Sequence, residues 1–248
     1  MANQTETGHA KNVANFGILI TSVNGFGEAY NPSKQTITTT ALASLYDNAK
    51  DVMRDYNGLS GAYGLAVANR EVAFEPLSKL ATRILNALRA SDVTKQVIEA
   101  AESLVRKIQG KRATPKKTEE QKAALLAEGK GAKEVSSSQM SFDNRLDSFD
   151  KLIQLLGNIP QYAPNEEELK VSTLSNFYAA LSSANSAAAQ AESALGNIRL
   201  TRNELLYKAG TGLVDITLSV KTYVKSLFGA TSPQYKQVSG LVFKTVVA

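Results

Sequence analysis

The chain has 248 residues, 43% hydrophobic and 21% charged, with no cysteine and a single histidine. Those counts exclude disulfides, thiolate metal ligands and cysteine nucleophiles, and one histidine leaves no set for a zinc centre or a hydrolytic triad. The formal charge of +5 is local: the stretch from Arg106 to Glu134 holds nine Lys/Arg and four Glu, and the rest of the chain balances.

Residues 1–12 are polar and read as a flexible amino terminus without the apolar core of an export signal. No run approaches the ~18 apolar residues of a membrane span. From Phe16 a helical stripe begins, continuing through Leu19, Ile20, Val23 and Phe26 at i, i+3, i+4 spacing. Gly25 and Gly27 end it. A corner follows, "YNPS", in which Tyr30 packs back on the preceding helix, Pro32 fixes the entry angle and Ser33 serves as N-cap. The second helix carries Ile37, Ala41, Leu45, Val52 and Tyr56, then meets three glycines in "NGLSGAYG", where it either ends or continues with weakened propensity. A third helix runs from about Arg70 to Ala90 with Pro76 awkwardly inside it, so its start falls nearer Glu75. Ser91 and Asp92 cap a fourth, whose Val97, Ile98, Ala101, Leu104, Val105 and Ile108 share one face.

Composition then shifts. Residues 110–139 are rich in Lys, Glu, Ala, Gly and Ser and read as a charged linker, with a short helix expected over Thr118–Ala127.

Beyond the linker the pattern restarts. Phe149, Leu152, Ile153, Leu156 and Ile159 repeat the first stripe, and from Tyr30 onward an ungapped offset of 132 residues pairs Tyr30 with Tyr162, Pro32 with Pro164, Leu42 with Leu174 and Arg70 with Arg202. Only eight of sixty-one aligned positions are identical, yet apolar positions meet apolar ones: Ile37 with Leu169, Leu45 with Phe177, Phe74 with Leu206, Leu88 with Val220. The corner recurs as "YAPN", with Tyr162, Pro164 and an expected N-cap at Asn165. The fold expected is therefore all-α: two tandem, pseudo-two-fold related antiparallel bundles of about four helices each, residues 13–109 and 140–248, joined by the linker. In the second bundle "YAALSSANSAAAQAESALG" is small on every face, which suits either a tight core or close self-association. A last helix starts with Pro233 at its first position. It is followed by an apolar tail, "LVFKTVVA", which should dock on this subunit or on the next.

Few residues suggest chemistry. His9 lies in the loose amino terminus with no evident partner. Asp47, Asp51 and Asp55 share a helix face that could hold a cation, but Lys50 and Arg54 alternate with them, the pattern of a solvated face; Asp143, Asp147 and Asp150 read the same way. "GFGEAYNPSK" follows a helix rather than a strand, and its spacing fits no phosphate loop. No catalytic, cofactor or metal residue is assigned. Arg70 and Arg202, matched by the offset, read as structural cations bonded to helix-end carbonyls or a nearby carboxylate, in preference to paired anion ligands. The basic run Arg106, Lys107, Lys111, Arg112, Lys116 and Lys117 could reach phosphates, but it lacks aromatics for stacking and is followed at once by Glu119 and Glu120.

At "GHAKNVANF" followed by "YNPS" the chain resembles a group of uncharacterised helical proteins common in Bacteroidota, most clearly over its first forty residues. The resemblance implies an intracellular helical protein and carries over neither an activity nor site residues. The expected function is a non-enzymatic structural or interaction protein of the cytoplasm, binding itself or another protein without cofactors. Two alternatives stand beside it: nucleic-acid contact through the basic run, and a membrane-active helix carrying "FGILITSVNGFG".

Overall fold

The computed structural model describes residues 8–111 and 140–246, with Ala127 between them. All regular structure among these residues is helical. In chain order the α-helices are α1 (His9–Gly25), α2 (Thr39–Phe74), α3 (Leu77–Arg89), α4 (Lys95–Gln109), α5 (Phe142–Gly157), α6 (Val171–Tyr207), α7 (Leu213–Phe228) and α8 (Pro233–Ser239). Most of the linker, 112–126 and 128–139, lies outside the described residues, as do residues 1–7 and 247–248.

Several boundaries differ from those expected, each for a local reason. Residues 9–12 are not loose; they form the first turn of α1, and Asn12 is buried. Ser33 and Asn165 are not N-caps. After each Pro the chain first makes a 3-10 turn, Gln35–Ile37 or Glu167–Leu169, so the long helices begin only at Thr39 and Val171. At the first of these starts the Thr38 hydroxyl accepts the Ala41 N–H at 3.3 Å, the capping role expected of Ser33. The glycines of "NGLSGAYG" do not stop α2, which runs 36 residues to Phe74 and absorbs Arg70. The break comes at Glu75–Pro76, where proline has no N–H for the ladder. Thr94, rather than Ser91 or Asp92, takes the N-cap position of α4, and Gly110 ends that helix in the left-handed conformation (φ 66°) that glycine adopts without strain. Ser232 caps α8 by accepting the Tyr235 N–H, with Pro233 first in the helix as read from the sequence.

Contacts divide the chain into two compact units, but not at the linker. One unit joins residues 1–64 with 191–248; the other is 65–190. The expected tandem bundles, 13–109 and 140–248, are thus each shared between both units. The cause is the continuity of α2 and of α6, which spans 37 residues: each helix gives its first part to one unit and its last part to the other.

Each unit has its own core. In the 65–190 unit α3 packs on α4 and α4 on α5, burying Phe74, Leu77, Ile84, Leu88, Ile108 and Phe149 with Leu174 of α6. The other unit packs α1 and α8 on α7, burying Phe16, Leu19, Leu42, Leu206, Leu213 and Val220. The stripe read from Phe16 is therefore a core stripe. Its glycine serves packing too: a side chain at Gly17 would meet the Tyr46 hydroxyl at 2.7 Å.

Candidate functional site

The two corners are built alike. The Tyr30 hydroxyl donates to the Ile37 carbonyl at 2.7 Å, and the Tyr162 hydroxyl to the Leu169 carbonyl at 2.9 Å. Each clasp spans seven residues and closes the 3-10 turn on itself. Burial raises both phenols: Tyr30 strongly, with Tyr223 adding to the effect, and Tyr162 to about 12, with the Glu166 carboxylate second. Tyr30, Pro32, Ser33, Tyr162, Pro164 and Asn165 thus all lie at helix-to-helix corners, although neither Ser33 nor Asn165 caps a helix.

Beside the Tyr162 corner lie two clefts of about 470 Å³ each, both within the 65–190 unit, and Arg83 of α3 lines both. The first is polar, with Asn86, Ser91, Asn165 and Glu166. The second is walled by Leu80, Leu174 and Phe177, with Lys79, Arg83 and Glu168 as its charged groups. Arg83 pairs with Glu168, and both side chains are largely exposed. Among the described residues Lys79 has no carboxylate in ion-pair range. The cleft thus sets two cations and one carboxylate beside an apolar wall.

Arg70 and Arg202 do not bond the carbonyls or carboxylates expected of them. The guanidinium of Arg70 lies 4.1 Å from the Phe142 ring centroid, and its Nη1 donates to the Asn185 amide oxygen at 3.4 Å. Among the described residues its buried Nε has no hydrogen-bond partner. Asn185 in turn donates to Asp143 at 2.7 Å, which links that carboxylate to the arginine through an amide. Arg202, 4% exposed, stands 4.7 Å from the Tyr56 ring centroid and grips the Asn203 amide oxygen through Nε and Nη2 at 3.2 and 2.9 Å. Each cation thus meets an aromatic face and an amide oxygen in place of a second charge, fully enough at Arg202 and with Nε left over at Arg70. The carbonyl-bonding role falls to Arg145 instead, which donates to Ile108 at 3.2 Å and Phe74 at 3.4 Å, the ends of α4 and α2. Burial lowers its pKa. Its position in a mixed sequence, "FDNRLDSFD", carried no signal that set it apart from other surface arginines.

His9 has a partner after all. Its Nδ1 shares a hydrogen bond of 2.7 Å with the Tyr207 hydroxyl, which also accepts from Asn12 Nδ2 at 3.3 Å. Burial, then the charge of Arg202, lowers the histidine pKa. Asn12 also reads the carboxy-terminal tail as a peptide, donating to the Lys244 carbonyl at 2.8 Å and accepting its N–H at 3.2 Å. Asn15 donates to the Val242 carbonyl at 2.7 Å. The tail therefore docks on α1 of its own chain.

The acidic triplets are paired in part along their helices: Asp47 with Lys50, Asp51 with Arg54, Asp147 with Lys151. In the basic run Arg106 shares Glu102 with Arg89, Lys107 and Lys111 are exposed, and Arg112, Lys116 and Lys117 lie outside the described residues. Among the described residues no helix is long and apolar enough to cross a membrane.

No protein family matches the chain, and no curated protein or solved structure is similar to it.

Proposed function

We propose that this chain is a non-enzymatic, self-associating helical scaffold of the cytoplasm, and that the middle of α2 is where copies meet. The supporting observation is a set of glycines that no described residue packs against. Gly58, Gly61 and Gly64 lie inside α2, and a side chain at any of them would meet nothing within 4 Å. Each weakens the helix by about 1 kcal/mol relative to alanine. No packing among the described residues offsets that cost. Gly58 and Gly61 continue, at heptad spacing, into Leu65, Ala68 and Val72, and Leu65 and Val72 are 64% and 70% exposed. A groove of glycines ending in bare aliphatic side chains is the surface that a second helix approaches closely. A two-fold pairing would bring like surfaces together.

The scaffold itself reads as a duplication. Support comes from the twin seven-residue clasps, from long helices of 36 and 37 residues in matching places, and from the paired burial of Leu42 with Leu174 and of Phe74 with Leu206. The halves of the two copies are recombined, so each core takes the leading half of one and the trailing half of the other.

Sedimentation velocity over a wide concentration range is the test. The wild-type chain should sediment as a dimer or larger. Gly61→Ala should raise the monomer's stability by about 1 kcal/mol while weakening association, and Leu65→Glu should abolish association. A monomer at every concentration overturns the proposal.

A further inference from the structure

We propose that the apolar cleft beside Arg83 binds an anionic amphiphile, a monocarboxylate with a short aliphatic or aromatic tail. At about 470 Å³ the cleft falls within the size range of small-molecule sites. Leu80, Leu174 and Phe177 supply a wall for the tail. Lys79 and Arg83 supply two positive charges against the single carboxylate of Glu168, so the lining is short of one anion. The Arg83–Glu168 pair is exposed on both sides and holds weakly, so a ligand carboxylate can take the place of Glu168 on the guanidinium fork.

The other unit shows that the scaffold does not require this chemistry. By the offset of 132 residues, Lys79, Leu80, Arg83 and Glu168 correspond to Thr211, Gly212, Asp215 and Thr36. Both cations and one wall residue are absent there. Asp215 instead accepts the Gly210 N–H at 2.7 Å, a local turn contact. Of the wall, Leu174 and Phe177 keep apolar counterparts, Leu42 and Leu45, each packed in the core of its own unit. The cations, Leu80 and the pairing glutamate are particular to one corner of two, and their joint chemistry is that of amphiphile binding.

Isothermal titration calorimetry with octanoate, and with octanol as its uncharged match, tests this on the full chain, with circular dichroism confirming wild-type helix content for each variant. The wild type should take up octanoate saturably. Arg83→Gln should weaken octanoate roughly tenfold and leave octanol unchanged. Glu168→Gln, which removes the competing carboxylate, should tighten octanoate severalfold. Absence of saturable octanoate uptake overturns the proposal, as does an equal loss of both ligands in Arg83→Gln. Unchanged or weaker octanoate binding in Glu168→Gln overturns the exchange at Arg83.

Discussion

The Tyr30 and Tyr162 corners share a backbone plan and differ in what surrounds it. At the first, Tyr223 stands edge-on to Tyr30 with ring centroids 5.2 Å apart, and Lys34 reaches across to the Ser219 hydroxyl at 3.0 Å. At the second, the positions matched by the offset are Ser91, Glu166 and Ala87: a small polar group replaces the ring, and neither bond partner remains. The polar cleft lies at those residues. One clasp supports a filled corner and the other an open one. The clasp and the leucine beneath it are therefore structure, whereas the side chains facing outward are free to specialise.

The leucine offers the most damaging way to probe that likeness. Leu42 and Leu174 are both fully buried. Truncating either to alanine should cost about 3 kcal/mol in urea unfolding, as buried leucines do. Hydrogen exchange should then accelerate mainly in the unit that lost its leucine: 1–64 with 191–248 for Leu42→Ala, 65–190 for Leu174→Ala. Faster exchange throughout both units, whichever leucine is cut, would contradict separate cores.

A milder probe removes only the clasp hydroxyl. Tyr30→Phe and Tyr162→Phe each leave a buried carbonyl unpaired and should cost about 1 kcal/mol, equally at the two corners if the clasps are equivalent. High pH distinguishes the second of them further. The fold favours the neutral Tyr162 phenol, so its contribution is complete below the ordinary tyrosine value of 10.0 and is lost as the pH rises through about 12. Tyr162→Phe should flatten that part of the stability profile, and a profile unchanged by the substitution would count against the buried clasp.

The smallest effect concerns a feature of only one unit, the His9 contact with Tyr207. A lowered pKa means that the fold prefers the neutral ring, so stability is complete above 6.5 and declines as the pH falls through the lowered value. Because the ring is partly solvated, the decline should amount to a fraction of a kcal/mol. His9→Gln should remove it, as read by thermal melts between pH 7 and 5.

The helices were legible in the sequence because their faces are. Phe16, Leu19 and Val23, Leu77 through Leu88, and Phe149 through Leu156 are buried where the 3.6-residue period places them. Helix starts were less legible, because Ser33 and Asn165 carry good capping chemistry in a place where the tyrosine clasp imposes a 3-10 turn. Periodicity is blind to a bond between residues seven apart. The partition into units was not legible at all: a helix crossing from one core to another has the same periodicity as a helix within one. The Arg83 cleft was missed for a related reason: nothing in the local pattern sets Lys79 and Arg83 apart, Glu168 lies at the spacing of a capping box from Asn165, and only the fold gathers the three.

Because each core draws on distant stretches, the order in which the chain emerges from the ribosome governs when each can close. The unit made of 65–190 has all of its parts once the second long helix is half synthesised. The other joins residues on either side of that stretch, so α1 waits through the synthesis of 65–190 without the surface it is built to cover.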